Sequence, residues 1–175
     1  QFKLEAEVIK KRPEFNMKNR MLLEKIDKTK GTIKLNGKEY ALTSNNFPTI
    51  DPENPYKLTE RESEVINKIA KYFKKSDKLQ KHIRFFFSNG SIYLKYNNQL
   101  MFHGCIPMNS DGDYECFEIE GKKYCGKELL DKFEKLSRKA YFKGVESDLD
   151  WFWYMWTGEN SPLFGKVEMK TFERY

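Results

Sequence analysis

The hydrophobic period of this chain changes at Ser91. Before that point apolar residues recur every three or four positions: Phe2, Leu4, Val8 and Ile9, then Val65, Ile66, Ile69, Tyr72 and Phe73, then Leu79, Ile83, Phe86 and Phe87. Such spacing returns side chains to one face of a helix. From Ser91 onward Ile92, Leu94 and Tyr96 step by two, the period of a strand. The change implies an α+β fold, with a largely helical region at residues 1–90, a sheet-bearing region at residues 91–175, and a seam near Gly90.

Local punctuation sharpens this outline. Pro13 ends or kinks the first helix, because its ring removes a donor and clashes with the preceding turn. Asn16 is suited to cap a second helix carrying Met17, Leu22, Leu23 and Ile26. Asn36-Gly37 sits between alternating segments and predicts a hairpin, since both residues tolerate positive φ. Pro48, Pro52 and Pro55 make residues 43–57 an irregular linker, and Thr59-Glu60-Arg61-Glu62 predicts a capping box at the start of the next helix. Asp77 restarts a helix that Asn89-Gly90 stops. Further hairpins are expected around Asn97-Asn98 and Gly121. Leu129, Leu130, Phe133, Leu136 and Ala140 mark an amphipathic helix, followed by a shorter aromatic one over Val145 to Trp156 with Phe152, Trp153 and Trp156 facing the core.

The chain has 175 residues and 15% aromatics, enough for one substantial core. Its net charge of +6 suits an anionic partner, but the lysines alternate with glutamates, as in Lys127/Glu128/Asp131/Lys132/Glu134/Lys135, the pattern of solvated helix faces. Neither nucleic-acid binding nor membrane association is therefore expected, and the apolar run Trp151 to Trp156 is too short to cross a bilayer. With no signal-peptide pattern, a cytoplasmic setting is expected, in which Cys105, Cys116 and Cys125 stay reduced and act as small buried hydrophobes.

His103 is the leading candidate for chemistry. The run Leu100-Met101-Phe102-His103-Gly104 ends an apolar strand in an imidazole and then turns on glycine. A strand end holds a metal ligand rigidly, and glycine leaves room for an ion. Taken alone, a single histidine beside apolar residues is more often a hydrogen-bonded core or edge residue. His82, beside Lys81, reads as surface. Asn109-Ser110-Asp111-Gly112-Asp113 misplaces its glycine for a calcium loop and reads as a polar turn. The cysteine spacing makes no zinc knuckle. Lys166 and Arg174 flank a turn-rich segment and are candidates to hold phosphate.

Longer stretches carry a resemblance. Phe102-His103-Gly104-Cys105-Ile106-Pro107-Met108-Asn109-Ser110-Asp111-Gly112, Ser161-Pro162-Leu163-Phe164-Gly165-Lys166 and Thr171-Phe172-Glu173-Arg174-Tyr175 resemble segments of the class III fructose-1,6-bisphosphatases, in the calcineurin-like metallophosphatase superfamily. Pro55-Tyr56-Lys57-Leu58-Thr59 and Leu79-Gln80-Lys81-His82 fit as well.

The resemblance implies a cytosolic, manganese-dependent, gluconeogenic enzyme. It would remove the 1-phosphate of fructose 1,6-bisphosphate through a hydroxide activated by two metals on an α/β/β/α sandwich. His103 would be one ligand of the Mn2+ pair, with Lys166 and Arg174 on substrate phosphate. The Asp-x-His, Gly-Asp-x-x-Asp-Arg and Gly-Asn-His elements of that family are absent from these residues. The chain is therefore expected to be an internal fragment: a mostly helical insert followed by part of the sandwich, inactive alone, with homo-oligomeric contacts open to it. The alternative is a non-catalytic basic binding or oligomerisation module.

Overall fold

The computed structural model describes residues 2–165, which fall into two compact units, residues 2–77 and residues 78–165. The mixture is α+β, as the change of period predicts. The division between units falls at Asp77–Lys78, ahead of the seam expected near Gly90.

In the first unit, α1 (Phe2–Lys11) buries Ala6 and Ile9 and ends before Pro13. The helix expected from Asn16 does not form. Asn16 adopts a left-handed conformation (φ 52°, ψ 38°), and the chain proceeds through three single 3-10 turns, Pro13–Phe15, Lys18–Arg20 and Leu23–Lys25. The physical reason is burial on all sides. Phe15, Met17, Met21, Leu22 and Leu23 are all buried, and three consecutive residues cannot share one helix face. Ile26 then joins a strand. β1 (Ile26–Asp27), β2 (Thr32–Leu35) and β3 (Lys38–Ala41) form an antiparallel sheet in that order, with Asn36 and Gly37 at positive φ in the predicted turn. Ile33 of β2 is wholly buried.

The proline-containing linker is held by side-chain bonds to backbone rather than by a ladder. Asn45 Nδ2 donates to Lys28 O (2.9 Å), and Lys28 Nζ to Ile50 O (2.9 Å). The capping box forms as expected at the start of α2 (Glu60–Lys75). Glu62 N donates to Thr59 Oγ1 (3.2 Å), and Thr59 N to a Glu62 carboxylate oxygen (2.7 Å). Lys3 Nζ of α1 bonds that same oxygen at 2.8 Å. Val65, Ile69, Tyr72 and Phe73 of the apolar face of α2 are exposed.

In the second unit α3 (Asp77–Asn89) packs through Phe87, whose ring stacks on Tyr141 at 4.8 Å, while Phe86 is exposed. β4 (Tyr93–Tyr96) and β5 (Gln99–Phe102) form one hairpin, and β6 (Cys116–Ile119) and β7 (Lys122–Cys125) another. The core lies between β6–β7, α4 (Gly126–Lys143) and α5 (Glu146–Thr157). Leu129, Leu130, Phe133, Leu136 and Ala140 are buried as the spacing predicts.

On α5 the buried face is not the one expected. Trp151, Tyr154 and Met155 point inward, whereas Trp156 is 52% exposed. Positions i, i+3 and i+4 form one stripe, with Phe117 edge-on to Tyr154 and Phe133 tilted against Trp151. Among the described residues no helix is long and apolar enough to cross a membrane.

The cysteines also depart from expectation. Cys116 and Cys125 are joined in a disulfide, and Cys105 is free. They are the terminal pair of the β6–β7 hairpin, at equal distance from the Glu120-Gly121 turn, so strand pairing itself brings the two sulfurs together.

Candidate functional site

His103 follows directly on β5 and is exposed, its ring edge-on to Trp156 at 6.5 Å between centroids. The exposure is shared by the strand that precedes it, since Leu100, Met101 and Phe102 are exposed as well. Tyr93 and Phe102 form a register pair, and Tyr93 is fastened to α4 by a hydrogen bond from its hydroxyl to Asp131 (2.8 Å).

The glycine after it has a specific role. Gly104 N and Cys105 N both donate to Pro162 O, at 2.9 and 3.2 Å. A Cβ on Gly104 would lie 2.6 Å from Pro162 O and 3.1 Å from Leu163 O. The strand end is thus clasped by the Ser161-Pro162-Leu163-Phe164-Gly165 loop, backbone against backbone. Gly165, at φ +60°, faces Gly104 in turn.

The loop is itself braced. Ser161 is fully buried; its Oγ donates to Met155 O at the end of α5 and accepts from Leu163 N (3.2 Å). Cys105 Sγ donates to Ser161 O (3.4 Å), and burial pushes its thiol pKa above the ordinary value. Ser161 was not singled out from sequence. Its signals were a small hydroxyl ahead of proline at a helix exit and its place at the head of a family-like stretch.

Downstream, Asn109 Oδ1 accepts from Asp111 N (3.0 Å) and Asp113 N (2.9 Å), the polar turn that the sequence predicts. His82 is exposed on α3. Lys166 and Arg174, and the Thr171–Tyr175 segment, lie outside the described residues.

An exposed imidazole on a braced strand end is chemically suited to be one corner of a metal site. Among the described residues, however, no group of three His, Cys, Asp or Glu side chains could hold an ion. These residues fit a single donated ligand and not a whole centre. A separate open groove of about 530 Å³ lies in the first unit, lined by Leu4, Leu23, Phe47, Pro48 and Val65, with the Lys3–Glu62 pair at its side. Its walls are largely apolar.

The two clasped segments, around His103-Gly104 and Ser161–Gly165, carry the longest family-like stretches of the sequence. A family model described as Firmicute fructose-1,6-bisphosphatase matches residues 1–175, the entire chain. The chain belongs to this family. Curated relatives named fructose-1,6-bisphosphatase class 3 include one from the Alaska strain of Clostridium botulinum, 58% identical over all of this chain. Those of the Langeland and Loch Maree strains are each 54% identical over the same extent. The chain spans 27% of the length of these relatives. No solved structure matches it. Family membership gives the clasp its context: the His-Gly strand end and the Ser-Pro-Leu-Phe-Gly loop, 56 residues apart in sequence at Cys105 and Ser161, meet in space.

Proposed function

We propose that this chain is a segment of a cytoplasmic, manganese-dependent phosphatase of gluconeogenesis that hydrolyses the 1-phosphate of fructose 1,6-bisphosphate. The observation that carries the proposal is the family match over residues 1–175, together with 58% identity to a class 3 relative. The described residues make no complete metal shell, and the chain spans 27% of that relative's length, which supports a site shared with residues elsewhere in the full-length protein. In this reading residues 91–175 are part of a calcineurin-like α/β/β/α sandwich. The exposed Leu94, Tyr96 and Met101 on β4–β5 support a surface that further chain covers.

His103 is assigned as one ligand of the Mn2+ pair. Such a pair, when bound, supplies an activated hydroxide and offsets charge on the phosphoryl oxygens. This chain's own residues hold the ligand in place: the Gly104–Pro162 bond fixes the backbone on which the imidazole stands. Lys166 and Arg174 are assigned to substrate phosphate as cationic groups near a turn-rich loop. By itself the 175-residue chain is inactive in this reading, since one imidazole binds a metal weakly. The exposed row Val65, Ile69 and Tyr72 on α2 favours a homo-oligomer contact as an additional role.

The test is His103→Ala in the full-length protein, with manganese content and phosphate release measured together. Loss of both is expected. Unchanged metal content and rate would remove His103 from the site.

A further inference from the structure

We propose that Cys116 and Cys125 form a reversible dithiol–disulfide site that exchanges with a low-molecular-weight thiol and sets how firmly the segment after His103 is held. Three observations converge. The first is register: the two residues face each other at the open end of the β6–β7 hairpin, with Cα atoms 4.4 Å apart. That is the spacing of a non-hydrogen-bonded antiparallel pair, in which side chains approach most closely. The backbone therefore presents both sulfurs to each other whether or not they are bonded, and forming the bond needs no rearrangement of the strands.

The second is access and leaving-group placement. Both cysteines are half-buried rather than sealed, so a small thiol can reach them. Cys125 is the N-cap residue of the 18-residue helix α4, and its side chain makes no capping hydrogen bond there. A thiolate released at that position lies at the positive end of the helix, where free amide N–H groups stabilise it. Glu128 in the first turn opposes this effect in part.

The third is connection. Glu115, next to Cys116, donates its amide to Pro107 O (3.0 Å), and Met108 pairs with Tyr114 in a β-bridge. The Tyr114 ring lies over Gly126, so closely that a Cβ there would come within 3.1 Å of it. Tyr114 and Glu115, directly before Cys116, thus tie the disulfide end of the hairpin to the Pro107–Met108 stretch that follows Gly104 in the chain.

The exchange balances as follows. A thiolate RS⁻ attacks Cys116 Sγ, the Sγ–Sγ bond breaks, and Cys125 leaves as a thiolate and takes up a proton. A second RS⁻ attacks the mixed disulfide, releasing RSSR and the Cys116 thiol. Two electrons pass from two RSH to the cystine, and the reverse reaction restores it.

The inference stands whether or not His103 binds a metal. The full-length protein is equilibrated across a series of ratios of glutathione to glutathione disulfide, acid-quenched, alkylated and analysed by peptide mass. Cys116 and Cys125 are expected to gain label together in one two-electron transition, while Cys105 labelling does not follow the ratio. Amide exchange at Gly104 and Cys105 is expected to rise about tenfold on reduction. A bond that persists at every ratio leaving the protein folded, or that never forms, overturns the exchange site. Equal protection of Gly104 and Cys105 in both states overturns its link to the His103 segment. The double variant Cys116→Ser, Cys125→Ser should show the reduced-state exchange at every ratio.

Discussion

Gly104 donates its amide hydrogen to Pro162 O at 2.9 Å, and a side chain on Gly104 would occupy the space that this contact requires. A methyl group there meets Pro162 O at 2.6 Å and Gly165 N at 3.2 Å, both backbone atoms with no rotamer to yield. Gly104→Ala should therefore force the two segments apart. The expected loss is about 1–3 kcal/mol, the range of an overpacked contact, read as a lower urea midpoint. In the full-length protein the same variant should depress the proposed phosphatase activity. Wild-type stability in Gly104→Ala would show that the clasp is looser than these distances require.

Glu62 links acidity to the first unit. The Lys3 ammonium bonded to its carboxylate, aided by the Thr59 amide and the Thr49 hydroxyl, lowers its pKa from 4.5 to about 2. A carboxylate with a depressed folded pKa contributes stability that is fully present above its unfolded value, near 4.5, and is lost as pH falls through about 2. Between those limits the stability that Glu62 contributes falls steadily, while in the folded protein its tie to Lys3 persists until the pH approaches about 2. Glu62→Gln keeps a capping-box partner but cannot titrate or pair with Lys3. The measurement is the difference in thermal midpoint between the two proteins. The gap should narrow as pH falls from 4.5 to 2, and a constant gap would dissociate Glu62 from acid sensitivity.

Phe133 is wholly buried on α4, with the rings of Phe117 at 5.7 Å and Trp151 at 6.0 Å. It therefore joins the β6–β7 hairpin to α5. Truncating it leaves a void that three separate elements would have to collapse into. Phe133→Ala should cost about 3–5 kcal/mol by chemical denaturation. Phe86→Ala, at an exposed site on α3, should cost far less. Equal losses at the two positions would contradict this placement of the core.

These elements differ in how readily the sequence revealed them. The capping box at Thr59–Glu62, the turns at Asn36-Gly37 and Asn97-Asn98, and the buried row Leu129 to Ala140 depend on local chemistry, and each formed as read. Residues 16–26 did not, because burial on every side overrode a weak helical pattern. The aromatic helix α5 offers rings on several faces, and only tertiary packing on α4 selects Trp151 and Tyr154 over Trp156. The cysteine pair was legible in principle, since Cys116 and Cys125 flank their turn symmetrically, but expectation of a reducing compartment masked it. At the candidate site His103 and Gly104 were visible as a strand end. Their partner Pro162, across more than fifty residues, was not accessible to any local pattern.

Arg138 offers a test of how α3 is attached within the second unit. Its guanidinium donates to the carbonyls of Phe87 and Gly90 (3.0 Å to the latter) and to Glu134 (2.9 Å). It thereby satisfies acceptors at the end of α3 that no intrahelical amide can reach. Burial alone would raise the Glu134 pKa, but the hydrogen bonds from Ser91 and Arg138 reverse this and hold it below the ordinary value. Only a planar fork serves two carbonyls and a carboxylate at once, and an ammonium on a flexible stem does not. Arg138→Lys should keep the charge and lose part of this geometry, at a cost of about 1–3 kcal/mol. Amide exchange near Ser88, Asn89 and Gly90 should accelerate in that variant, while exchange in the buried part of α4 changes much less. Uniform acceleration across the second unit would instead mean that Arg138 supports the global fold and not the α3 attachment.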